Sequence, residues 1–129
     1  MSDRLRVIII GAGAVGCLYG AKLSQVGAEV SVVARSDYDV VKDHGYQIQC
    51  IWGDFIFKPT HVLKDIHDYP ETADIILVAT KVLPDINIPK IIHPVVSENT
   101  TILLIQNGMF IEAPIKKACP NNLLALIHI

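Results

Sequence analysis

The sequence predicts an α/β domain on a doubly wound, mostly parallel sheet, and three observations carry that expectation. Apolar, β-branched runs alternate with helix-patterned segments along the chain. Most of these runs are continuously apolar, as strands covered on both faces require. Hydrophobic residues make up 51% of the 129, and a mean hydropathy of +0.42 suits a sheet buried on both sides. The length is sufficient for one domain with its own core.

The elements follow in order. "RVIII" (6–10) is a short β-branched run and reads as a buried strand. "GAGAVG" follows at once, and from residue 14 to about 26 the pattern is helical, with Val15, Leu18, Tyr19 and Leu23 near one face and Gly27 as C-terminal cap. "AEVSVVA" is the second strand. "SDYDVVKDHG" is a short helix, capped by Ser36 or Asp37 and ended by Gly45. In "YQIQCIWGDFIFKP" apolar and polar residues alternate on either side of Gly53-Asp54, which predicts a hairpin inserted into the βαβ repeat. "ADIILVAT" is a further buried strand. "LPDINIPKIIHPVVSEN" should hold a helix cut short by Pro84, Pro89 and Pro94. "TTILLIQ" is a strand, "NGMF" a turn, "IEAPIKKACP" a short helix stopped by Pro120, and "NNLLALIHI" a final strand at or near the sheet edge. The expected strand order is 3-2-1-4-5, with ligands at the carboxyl ends of the strands. A bare apolar edge is an aggregation template. The last strand therefore predicts either more chain beyond Ile129 or self-association through this edge.

Composition excludes several function classes. The net charge is −2 and the eleven basic residues are scattered, so no nucleic-acid surface is expected. Cys17, Cys50 and Cys119 form no C-x-x-C pair and read as reduced thiols of a cytoplasmic protein. The five histidines show no ligand spacing, so no metal site is expected. The segment "RLRVIIIGAGAVGCLYGA" has the outline of a cleaved leader. Three interrupting glycines, Asp3, and the run-on into an amphipathic helix argue against it. No segment is apolar over the ~18 residues of a membrane span.

The chemistry lies in the turns after the strands. Gly11, Gly13 and Gly16 fit G-x-G-x-x-G between a strand and a helix. Gly11 makes the tight turn, Gly13 lets the backbone approach a pyrophosphate, and Gly16 lets helix and strand pack closely. With Ala12, Ala14 and Val15 they form a phosphate-binding loop at a helix N-terminus. This is the Rossmann-type arrangement. Ala34 falls where an acidic residue would grip the adenosine ribose of NAD, and Arg35 follows it. Alanine cannot bind the ribose hydroxyls and does not repel a 2′-phosphate, while a guanidinium binds phosphate bidentately. The pair favours NADP over NAD and weakens a flavin reading. Lys81 in "VATK" and Asn107 in "LLIQNGM" follow neighbouring strands on the ligand side and can converge on one small polar ligand.

Taken together, "IIIGAGAVGCLYGAKLSQVGAEVSVVAR", the hairpin, "ADIILVATK" and "ILLIQNGM" resemble the ketopantoate reductase (2-dehydropantoate 2-reductase) family over nearly the whole chain. The resemblance implies NADPH-dependent reduction of a 2-oxo acid, 2-dehydropantoate, to pantoate, on the route to pantothenate and coenzyme A. It implies that Gly11 to Gly16 hold the pyrophosphate, Arg35 the 2′-phosphate, that Lys81 lines the nicotinamide side, and that Asn107 meets cofactor and substrate together. Phe110, where the family often has a small residue, and the prolines after Lys81 depart from the pattern and bear on the substrate more than the cofactor. The family also has a C-terminal helical domain that supplies the general-acid lysine; that domain is absent from this chain. Residues 1–129 accordingly read as one dinucleotide-binding domain truncated at its C-terminal end, with no catalytic residue of its own and little or no activity alone. The alternatives are an NADP-dependent reductase of another 2-oxo acid or polyol, and a non-catalytic dinucleotide-binding module.

Overall fold

The computed structural model describes residues 4–11, 14–34, 38–50, 53–79, 88–105 and 112–127. Its strands are β1 (Arg6–Ile10), β2 (Glu29–Val33), β3 (Tyr46–Cys50), β4 (Gly53–Phe57), β5 (Val62–Leu63), β6 (Ile75–Val78), β7 (Thr101–Ile105) and β8 (Leu124–Ile127). The helices are α1 (Ala14–Gln25), α2 (Tyr38–His44), α3 (Ile88–Ile92) and α4 (Glu112–Ala118). Among the described residues six strands pair in the order β5-β2-β1-β6-β7-β8, and every pairing is parallel. Counted along the chain, that is the doubly wound order 3-2-1-4-5-6. The third place belongs to β5, a two-residue strand for which the sequence shows no pattern. Its pairing reaches beyond those two residues: Thr60 N–H donates to Val30 O (2.7 Å), Val32 N–H to His61 O (3.0 Å) and Ala34 N–H to Leu63 O (2.8 Å). β8 lies at the edge, as expected.

The continuously apolar strands do face two cores. On β1, Val7 and Ile9 point to one side with Val30, Val32 and Leu77, under α1, Val41 and the hairpin residues Ile48 and Phe57. Ile8 and Ile10 point to the other with Ile76, Val78, Ile102 and Leu104, under Ile92, Val95 and Ile115. Val7, Ile8 and Ile9 are fully buried, which is why polar alternation is missing from this strand.

Two sequence expectations need correction, and a third holds. The buried face of α1 is not the one carrying Tyr19, which is 39% exposed. It is the small-residue face: Gly16, Cys17, Gly20 and Ala21 are buried, and Leu18 and Leu23 only flank it. A Cβ on Gly20 would overlap Ile9 Cδ1 and would touch the Phe57 ring and Val30 Cγ1, each at 3.4 Å. The helix therefore sits too close to the sheet for large residues to lie between. The hairpin turn is also displaced. Cys50 pairs with Gly53 and Gln49 with Asp54, so Gly53-Asp54 opens β4 and the two-residue connection is 51–52. In the described part of the proline-rich segment the helix is short, Ile88–Ile92, and gives way to a 3-10 turn, His93–Val95, with Pro94 in its first turn, as the prolines predict.

Helix ends follow their sequence signals. Gly27 has φ +101°, its N–H donates to Ser24 O, and Ala28 N–H donates to Leu23 O (3.0 Å). This double bond pattern closes the last turn of α1 and turns the chain into β2. Gly45, φ +73°, ends α2 by the simpler left-handed cap, a single bond from its N–H to Val41 O.

Because Ile9 is fully buried, Gly20→Val overpacks the α1–β1 contact. The expected loss is about 1–3 kcal/mol of stability, read as a lower urea midpoint at unchanged slope. An unchanged midpoint would mean that α1 is not seated as described.

Candidate functional site

The chemistry expected of a doubly wound sheet lies beyond the carboxyl ends of its strands, at the point where the strand order reverses. Here that point falls between β1 and β6: the chain leaves β1 for β2 on one side, and β6 pairs with β1 on the other. At this edge Ile10 pairs with Val78, and Ala79 N–H donates to Ile10 O (2.9 Å). Gly11 turns the chain sharply off β1 with φ +78°, a conformation side chains resist. The chain enters α1 at Ala14. A Cβ on Gly16 would lie 3.1 Å from both Ala79 Cβ and Gly11 O. Hydrogen at position 16 and methyl at position 79 thus let the first turn of α1 settle over the β1–β6 crevice. The first turn of a helix has N–H groups without intrahelical partners and carries the positive end of the helix dipole.

The described residues bring Gly11, Ala14 and Gly16 to this edge. Ala34 is also here: it follows β2, is 3% exposed, and is tied by its N–H to Leu63 O. Ala12, Gly13, Arg35, Lys81 and Asn107 lie outside the described residues, as do Ser36, Asp37 and Phe110, and of Val15 only the helical backbone is described. Along the chain, Arg35 directly follows Ala34, and Lys81 and Asn107 come two residues after Ala79 and Ile105.

Beside the end of β2 is a group the sequence reading passed over. Tyr38, the first residue of α2, has two ammonium groups against its ring: Lys42 Nζ at 5.5 Å and Lys64 Nζ at 4.8 Å from the centroid. The i, i+4 spacing of Tyr38 and Lys42 was legible; the approach of Lys64 required β5. Next to Lys64, Asp65 accepts from His67 N–H (2.9 Å), and His67 Nδ1 lies 2.6 Å from its Oδ1. The His67 backbone bond and then its ring hold the Asp65 carboxyl below the usual carboxylate range.

The amino pole of the sheet is different. A groove of about 820 Å³ there is lined by Arg4, Arg6, Glu29, His61, Tyr69 and Asp74, among others. Its charges are largely paired. Arg6 meets Glu71 and, at 3.5 Å, Asp74, and these hydrogen bonds raise its pKa. Arg6 and Asp74 also bond reciprocally through the backbone: Arg6 N–H donates to Asp74 Oδ2 and Asp74 N–H to Arg6 O, each 2.9 Å. Burial pushes the Tyr69 phenol up. This pole ties the starts of β1 and β6 together. Among the described residues no group of three His, Cys, Asp or Glu side chains could hold a metal ion, and no helix is long and apolar enough to cross a membrane.

A family model described as ketopantoate reductase PanE/ApbA matches residues 7–129. The chain belongs to this family. Within it, the chain is 32% identical over 120 residues to 2-dehydropantoate 2-reductase of Nostoc sp., covering 93% of this chain and 37% of that protein. The crystal structure of 2-dehydropantoate 2-reductase from Methylococcus capsulatus superposes with a TM-score of 0.85 at 36% identity, over 93% of this chain and 39% of the other. A D-mandelate dehydrogenase, solved with NADH and anilino(oxo)acetate, superposes at 0.81 and 25% identity, over 96% of this chain and 40% of its own. The chain thus spans well under half the length of each of these three proteins, and what it shares with the two solved structures is the doubly wound sheet.

Gly11→Ala forces a side chain into a left-handed conformation at this edge. It should cost roughly 1–2 kcal/mol, seen as a lower thermal midpoint. A midpoint equal to that of the unmodified protein would refute the turn geometry.

Proposed function

We propose that residues 1–129 are the NADP-binding domain of a longer cytoplasmic reductase that converts 2-dehydropantoate to pantoate, supplying pantothenate and coenzyme A synthesis. The observation that carries the cofactor is Ala34. It is buried at the end of β2 where a ribose-binding carboxylate would stand, and Arg35 comes next. A carboxylate there repels a 2′-phosphate; a methyl group with a guanidinium beside it does not. Membership of the PanE/ApbA family supports the reaction class.

The residues present fit a dinucleotide, because the edge at Gly11 and Gly16 is one that added Cβ atoms would strain or fill. When bound, NADPH supplies a hydride to the ketone carbon. Gly11, Ala12, Gly13, Ala14, Val15 and Gly16 would hold the pyrophosphate with backbone N–H groups and the α1 dipole. Arg35 would hold the 2′-phosphate, Lys81 would line the nicotinamide side, and Asn107 would touch cofactor and substrate, fixing the ketone against the hydride face. The alkoxide that forms needs a proton, and a positioned acid is worth ~10²–10⁴-fold. Lys81 is assigned to the cofactor, so this acid is placed beyond Ile129 and the 129-residue chain is expected to be almost silent as a catalyst.

The likeness to a D-mandelate dehydrogenase solved with NADH favours a second reading, a reductase of another 2-oxo acid. Cofactor preference must then come from this chain's own β2 edge rather than from the fold.

Calorimetric titration should show tighter binding of NADPH than NADH, and Arg35→Ala should weaken NADPH by roughly 10- to 100-fold with NADH little changed. A variant that keeps the preference removes the assignment. In a coupled assay with 2-dehydropantoate and NADPH, the chain should give no turnover above background; robust turnover would mean that the acid lies within these residues.

A further inference from the structure

Lys42 and Lys64 reach the same aromatic ring from different elements, one from α2 and one from the loop after β5. Their ammonium groups cannot be further apart than the sum of 5.5 and 4.8 Å. That is on the order of the Debye length, ~8 Å at physiological ionic strength, so they repel each other. Carboxylates that could offset this are few. Asp65 is bound by His67, and among the described residues neither lysine makes an ion pair with Asp39, Asp43 or any other acid. Both side chains are exposed. The Tyr38 ring gathers two cations that nothing described neutralises, an arrangement suited to an anion arriving from solvent.

Position says which anion. Leu63 O accepts from Ala34 N–H at 2.8 Å, so Lys64 follows directly on the bond that closes β2 against β5. In a doubly wound sheet the pyrophosphate lies at the β1 turn and the adenosine ribose over the end of β2. Lys64 stands on the β5 side of that end, away from the pyrophosphate. Resting on the NADP reading above, we propose that Lys64, backed by Lys42 across the Tyr38 ring, is a second cationic contact for the adenosine 2′-phosphate and a determinant of NADP preference. An ammonium on a long stem contributes as a point charge. It therefore adds to a planar guanidinium contact and does not duplicate it.

The test titrates the unmodified protein, Lys64→Ala, Lys64→Arg and Lys42→Ala with NADPH and NADH at low and physiological salt. Lys64→Ala should weaken NADPH roughly 3- to 10-fold with NADH unchanged, and flatten the salt dependence of NADPH binding. Lys64→Arg should keep the NADPH affinity, and Lys42→Ala should lose less in the same direction. Lys64→Ala binding NADPH as before, or weakening NADPH and NADH alike, overturns the proposal while the preference of the unmodified protein and its loss in Arg35→Ala leave the NADP reading standing. An unmodified protein without preference for NADPH overturns both.

Discussion

Helix α1 lies close against β1 and β2 through its glycine face, and the rest of the domain is arranged around that contact. Gly20 leaves room for one δ-methyl of Ile9, and Gly16 rests over Ala79 and the Gly11 carbonyl. A helix so close to the central strand fixes where its N-terminus points. The direction in which this helix end faces the carboxyl edge is therefore a consequence of core packing as much as of loop sequence. The hairpin closes on the same face, with Phe57, 3% exposed, reaching Gly20 beside Ile9 and Val30, so α1 has little freedom to slide.

The two poles of the sheet divide their chemistry. At the amino pole polar groups bond to one another. Arg6 joins Asp74 and Glu71, Thr100 Oγ1 donates to Ala73 O at 2.6 Å, and Asn122 Nδ2 donates to the carbonyls of Ser97 and Thr100. These bonds gather the starts of β1, β6, β7 and β8. The carboxyl pole presents glycine, alanine and helix-end N–H groups at the β1–β6 crevice, donors suited to an incoming anion. The groove lined by Arg6, Tyr69 and Asp74 thus lies at the stabilising pole, and the ligand chemistry is proposed for the other.

Much of this was readable from sequence because the informative signals were local. The β-branched runs at 6–10 and 75–78, the strand–glycine–helix order, and the caps at Gly27 and Gly45 each depend on a few neighbouring residues. What failed depended on distant ones. β5 has only Val62 and Leu63 between His61 and Lys64 and is a strand only because β2 lies beside it. The buried face of α1 was misassigned because large apolar residues ordinarily mark the core side. Here the approach to Ile9 selects Gly16, Cys17, Gly20 and Ala21. The hairpin turn slipped by two residues because Gly53, φ +108°, serves as the first residue of a strand. The Tyr38 lysine pair could not be found without β5, since Lys64 is 26 residues away along the chain.

The hairpin has one further consequence. Among the described residues β3 and β4 pair in a sheet only with each other. Side chains hold the hairpin to the domain, through Ile48 and Phe57 in the core and Lys22 over the Phe55 ring, while the stacked Tyr46 and Phe57 rings, 6.1 Å apart, brace β3 against β4. Among the described residues no strand ladder joins the parallel sheet to this unit. Its backbone protons can therefore exchange with solvent through a local opening that leaves the parallel sheet intact, which makes the hairpin a separate cooperative unit inside a single fold.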